Sequence, residues 1–184
     1  MLIILEGMDN IGKSTQARYL TEYFHKNGYL TLNLHYHHMP TFTEDDSFYY
    51  YRWQATIMQD LINSKIVICD RFHLGEYVYG HLYRSYKNAH DNFINIDNIV
   101  SVHHNAYLFL FEDSVQNVVD RDDNMSISND FNMRMQEKMR FKDAFNLSNI
   151  KNKFVLNVND EYNDWLPKEQ MFNFIKEKIE VNNA

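Results

Sequence analysis

Nine residues near the amino terminus, Gly7-Met8-Asp9-Asn10-Ile11-Gly12-Lys13-Ser14-Thr15, narrow the possible folds of this chain more than any other stretch. They fit G-x-x-x-x-G-K-[ST] between a strand and a helix, the Walker A phosphate-binding loop. The glycines allow a tight path that turns backbone N–H groups inward, and the helix start adds partial positive charge. Gly7, Asn10, Ile11, Gly12, Lys13, Ser14 and Thr15 are therefore the candidate ATP contacts. Lys13 is expected to reach the β- and γ-phosphates, and the Ser14 hydroxyl to bind Mg²⁺. A chance match in such a chain is on the order of 1%. Two of the five glycines fall in the motif, so an ordinary glycine turn is the poorer explanation.

Around this loop, short apolar runs alternate with longer helical patterns, which predicts a three-layer α/β fold with a parallel five-stranded sheet flanked by helices. The strands are expected at Leu2–Glu6, Leu30–His35, Ile66–Cys69, Tyr107–Phe111 and Phe154–Val158. Helices are expected at Lys13–Asn27, capped by Gly28, at Phe48–Asn63, at Asp130–Leu147, and from Pro167 onward. Asp113-Ser114 looks like a further helix start. Glycine and proline, five and two in all, are too scarce for a flexible linker, so the 184 residues read as one domain.

A net charge of −7 argues against nonspecific nucleic-acid binding, which needs a basic surface, but leaves room for a small anion held by a local cation cluster. Cys69, the only cysteine, sits in an apolar run and reads as a core thiol. No apolar run approaches the ~20 residues needed to span a bilayer, and no leader pattern opens the chain. The expectation is a cytoplasmic protein without membrane partners.

After the third strand comes Asp70-Arg71-Phe72-His73-Leu74-Gly75-Glu76-Tyr77-Val78-Tyr79. Strand ends in a parallel sheet share one rim, so Asp70 and Arg71 are expected beside the phosphate loop. The carboxylate there can hold Mg²⁺ or orient an attacking oxygen, and the arginine can clamp a phosphate. Together these residues resemble the thymidylate kinase family. Leu5–Thr15 is similar to its L-E-G-x-D-x-x-G-K-S-T, and Asp70–Tyr79 to its D-R-[YFH]-x-x-S-x-x-A-[YF]. Phe48-Tyr49-Tyr50-Tyr51-Arg52-Trp53 resembles its F-x-x-x-R-W, and Gln136–Phe145 the helix after its lid. The resemblance implies transfer of the ATP γ-phosphate to a deoxynucleoside monophosphate, dTMP first, with Mg²⁺ as cofactor. It places Asp9, Phe48, Arg52, Arg71 and Tyr79 at the acceptor, and Lys13, Asp70, Arg71 and a lid arginine at the reaction. It also implies a homodimer.

The chain departs from that pattern in three places. Asn10 stands where many members carry a loop arginine, which shifts the expected catalytic cation to a lid at 120–130, with Arg121 first and Arg134 behind it. After the second strand the family has an R-E-P-like segment, whereas this chain has His35-Tyr36-His37-His38-Met39-Pro40; His37 or His38, or mainly Arg71, is left to hold the acceptor. Gly75 occupies the usual serine position. Three clustered histidines also suggest a metal, but no nearby cysteine or spaced carboxylate completes a site. Phe109–Asp113 superficially resembles a Walker B strand, though in the family this strand only leads to the lid. Rival assignments are a deoxynucleoside kinase, whose expected glutamate after strand two is missing, and a non-catalytic nucleotide-binding protein. The composition, poor in Gly and rich in Tyr and Phe, suits an AT-rich genome such as a virus carries.

Overall fold

The computed structural model describes residues 1–36, 41–121, 126–160, 162 and 164–181. Five strands, β1 (Leu2–Glu6), β2 (Thr31–His35), β3 (Ile66–Asp70), β4 (Ala106–Glu112) and β5 (Asn152–Asn157), form one parallel sheet in the order β2-β3-β1-β4-β5. The helices are α1 (Lys13–Lys26), α2 (Glu44–Leu61), α3 (His73–Tyr83), α4 (Ala89–Ser101), α5 (Val115–Asp120), α6 (Phe131–Leu147) and α7 (Lys168–Val181). Among the described residues, no helix is long and apolar enough to cross a membrane.

Burial explains the strand order. β1 and β3 are buried along their whole length, as inner strands covered on both faces must be, and all of β4 but Glu112 is buried too. β2 and β5, the edges, alternate with polar residues and stay partly exposed. Adjacent strands β1 and β4 send their following connections in opposite directions, to β2 and to β5, which opens a crevice at the carboxyl end of β1. Register sets the rim: Leu5 lies opposite Asp70, and Asp70 opposite His35.

The predicted strands all form, β1 with the expected ends and the others with ends shifted by at most two residues. α2 begins at Glu44 rather than Phe48 because Thr43 and Asp46 make a capping box, each side chain bonding the other's backbone N–H. Between β3 and β4 the sequence periodicity predicts no helix, yet two are present. In α3, His73, Leu74, Gly75, Tyr77, Val78, Tyr79 and Gly80 are all buried, so there is no polar face to reveal the period. The Cys69 thiol is fully buried against Met58, as expected of a core residue.

Candidate active site

The phosphate loop is shaped by backbone that only a few residues tolerate. Gly7, Asn10 and Gly12 have φ of 133°, 59° and 89°. A Cβ on Gly7 would lie 2.6 Å from the Phe111 carbonyl oxygen of β4, so the loop leaves the sheet where no side chain fits. Gly12 begins α1 without a side-chain cap and with no acidic residue in the first turn, which leaves that end to an anion. Lys13 is buried, and its ammonium donates to the Met8 carbonyl within the loop. Burial, then the Arg71 charge, lower its pKa to about 8, against the pull of Asp9, Asp70 and Glu6.

Glu6, at the end of β1, ties this loop to the next one. Its buried Oε1 accepts N–H bonds from Phe72, Leu74 and Gly75 at 2.8, 3.0 and 3.3 Å, capping α3. The Arg71 N–H donates to the Leu5 carbonyl at 2.9 Å, and Arg71 itself takes a left-handed φ of 67°. These bonds turn the Arg71 side chain toward the phosphate loop, where it pairs with Asp9. Sequence reading includes Glu6 in a motif without a role; its three N–H partners lie 66 to 69 residues away. Burial raises the Glu6 pKa, offset in part by His73 and by the Gly75 and Phe72 N–H groups.

Asp70 is buried beside them, with Oδ2 at 2.5 Å from His35 Nδ1 and Oδ1 without a hydrogen-bond partner. Ser14 is exposed in the first turn of α1. A bare carboxylate oxygen and a hydroxyl suit a hard cation such as Mg²⁺. No group of three or more His, Cys, Asp or Glu among the described residues makes a protein-only metal cage.

Two hollows meet at this point. A groove of about 450 Å³ is lined by Asn10, Ile11, Gly12, Lys13, Ser14 and Thr15, together with Arg71, Arg121, Trp165 and Lys168. A larger cleft of about 620 Å³ contains Asp9, Asn10, His35, Arg71, Glu76 and Arg84 among aromatic walls of Tyr36, Tyr51, Phe72, Tyr79 and Tyr83. Arg71 and Asn10 line both. A third hollow, of about 500 Å³, lies at the amino ends of the strands around Met1, Leu20, Phe24 and Ile66, away from all of these groups.

The predicted nucleotide contacts from Asn10 to Thr15 thus share one groove, with Gly7 buried beneath it, and Asp9, Arg71 and Tyr79 share the cleft. Phe48 and Arg52 do not line it. Phe48 turns instead into a narrow crevice with His73, Tyr77 and Phe93, and Arg52 is exposed with its guanidinium 6.0 Å from the Phe48 ring. The α2 residues that face inward are Ser47, Tyr51, Ala55 and Met58, so Tyr51 takes the cleft position. Arg121 reaches the groove, pairs with Asp113 and lies 3.7 Å from the Trp165 ring centroid. Arg134 is wholly buried, 2.8 Å from Glu137, and borders neither hollow. Asp113, just past the end of β4, accepts from the Ser114 N–H and from Asn117, bracing the start of α5. His37, His38 and residues 122–125 of the lid segment lie outside the described residues.

No protein-family model matches the chain, and no curated protein matches it. Solved structures do. The YorR protein of Bacillus subtilis, in complex with phosphorylated GDP, aligns over 100% of this chain and 98% of its own, with TM-score 0.72 and 16% identity. Thymidylate kinase from Candida albicans aligns over 99% and 92%, with TM-score 0.68 and 18% identity. Thymidylate kinase from Ehrlichia chaffeensis aligns over 96% and 97%, with TM-score 0.62 and 16% identity. These organisms lend no support to the viral source that the composition suggests. The chain has the fold of the thymidylate kinases, end to end.

Proposed function

We propose that this protein transfers the γ-phosphoryl group of ATP to a deoxynucleoside monophosphate, with dTMP the leading acceptor. The observation that carries the proposal is the shared wall: Arg71 and Asn10 border both the phosphate-loop groove and the aromatic cleft. A donor phosphate in the first and an acceptor phosphate in the second would meet at one guanidinium. The acceptor oxygen attacks the γ-phosphorus in line, and no side chain forms a covalent intermediate. The protein would supply position and charge: Lys13, Arg71 and Arg121 line the groove where the phosphates would lie, and Asp9 pairs with Arg71. Asp70 and Ser14 would hold Mg²⁺, whose bound charge neutralises the phosphate oxygens.

The test is ADP release with Mg-ATP against a panel of nucleosides and nucleoside monophosphates. Turnover that depends on a deoxynucleoside monophosphate is expected. Turnover on nucleosides alone would assign a deoxynucleoside kinase, and ATP binding without acceptor-dependent turnover a non-catalytic nucleotide binder.

A further inference from the structure

The cleft holds a second ion pair that phosphoryl transfer does not use. Arg84 Nη1 donates to both Glu76 oxygens, at 2.7 and 2.9 Å, and the Ser47 hydroxyl from α2 also donates to Oε1. The pair is mostly buried, the two side chains being 14% and 11% exposed, yet both line the cleft beside Tyr51, Tyr79 and Tyr83. The Arg84 guanidinium lies 5.0 Å from the Tyr86 ring centroid, which steadies it from behind. Desolvating two charges is a poor way to stabilise a fold, so a buried pair that borders a cavity calls for another role. Position suggests one. Glu76, in the first turn of α3, and Arg84, at its carboxyl-terminal cap, line the same cleft as Arg71, so an acceptor whose phosphate sat at Arg71 would present the rest of the molecule to other groups of that cleft.

We propose that Glu76 and Arg84 read the base edge of the acceptor, Glu76 accepting a base N–H and Arg84 donating to the neighbouring carbonyl oxygen or ring nitrogen. This rests on the acceptor assignment above and supplies the polar recognition that Phe48 and Arg52, turned out of the cleft, do not. The tyrosine walls hold any base by its face and distinguish little. A fixed acceptor beside a fixed donor rejects a base that leaves either one unpaired, which is the strong form of discrimination.

The experiment compares wild type with Arg84→Gln, Glu76→Gln and the exchanged double variant Glu76→Arg/Arg84→Glu. It measures kcat and KM for dTMP, dUMP, dCMP, dAMP and dGMP, KM for ATP, and melting temperature. Each single variant is expected to raise KM for the preferred acceptor at least tenfold, with KM for ATP within twofold. It should also compress the kcat/KM ratio between best and worst base at least tenfold. The exchanged pair keeps opposite charges together but reverses acceptor and donor, and should not recover the wild-type ranking. Equal losses on every base, an unchanged ranking, or recovery of the ranking in the exchanged variant would reduce the pair to a brace for α3 and overturn the inference. If Arg84→Gln melts early, Arg84→Lys, which keeps the charge without the planar fork, gives the same readout. An unchanged ranking with monophosphate turnover intact defeats only this inference; no turnover on any monophosphate defeats the kinase proposal as well.

Discussion

Lys13 shows how much one side chain is asked to do. Its ammonium is buried, bonded to Met8 within its own loop, and set among Asp9, Asp70 and Arg71. Replacing it with alanine removes a charge from the donor phosphates and little from the core. Lys13→Ala is expected to lower kcat by roughly 10²–10³-fold or more, with the melting curve little changed; retention of most turnover would contradict the assignment. Gly75 gives a second residue-scale prediction. A Cβ there would stand 3.3 Å from Glu6 Oε2, a buried oxygen without a hydrogen-bond partner. A serine hydroxyl can donate to that carboxylate, whereas an alanine methyl only crowds it. Gly75→Ser should therefore be more stable than Gly75→Ala by about 1 kcal/mol, read from urea melts of the two variants. Equal or reversed stabilities would show that Oε2 needs no donor. The serine that the resemblance leads one to expect here thus acquires a physical meaning, legible only once Glu6 and α3 are seen together.

At the scale of elements, the site depends on how α3 is held. His73, in its first turn, lies 2.9 Å from Asp97 on α4, and the Asp97 carboxylate also accepts from the Ser148 hydroxyl at 2.6 Å and the Asn149 N–H at 2.7 Å. This buried knot joins α3, α4 and the end of α6, and it starts two residues after Arg71. Burial pushes the Asp97 pKa up, but the bonds from His73, Ser148 and Asn149 outweigh it and hold the pKa below the usual 3.8. A depressed carboxylate contributes stability above its unfolded pKa and loses it as pH falls through the folded value. Asp97→Asn should thus destabilise the protein by about 1.5–3 kcal/mol near neutral pH and flatten the acid limb of the stability profile. Denaturant melts between pH 2 and 7 would show both effects; an unaltered acid limb would mean that Asp97 is not the titrating group. None of this knot is visible in the sequence, where His73, Asp97 and Ser148 are scattered polar residues. α3 itself escapes detection because it is buried nearly all round, while α1, with its one apolar stripe, is plain.

Over the whole molecule, the phosphate-loop groove is closed on one side by Trp165 and Lys168, about 150 residues from the loop they adjoin. ATP bound there should stabilise the whole fold, because the groove exists only when α1, Arg71 after β3, Arg121 at the end of α5, and Trp165 and Lys168 at the approach to α7 are assembled. At a hundred times its dissociation constant, Mg-ATP is expected to add about 2.7 kcal/mol and raise the melting temperature by roughly 5–10 °C. The proposed acceptor, dTMP, should add a further increment if it occupies the aromatic cleft, whose lining is mostly separate from that of the groove. Scanning calorimetry with each ligand alone and together checks this, and no shift with Mg-ATP would remove the groove as the donor site.

The phosphate loop, the strands and the parallel class were determined by the sequence alone, because they rest on local chemistry: glycine at positive φ, lysine at a helix start, and apolar runs that must be covered on both faces. Only the tertiary structure decided which side chains share a cavity. Phe48 and Arg52 occupy plausible motif positions, yet the docking of α2 turns them out of the cleft and brings Tyr51 in. Trp165 beside Gly12 follows from packing across layers, and the docking of α3 decides that Arg84, at its end, folds back on Glu76 inside the cleft. No periodicity or spacing along the chain encodes that packing, because a helix pattern states which residues face inward but not which cavity they face.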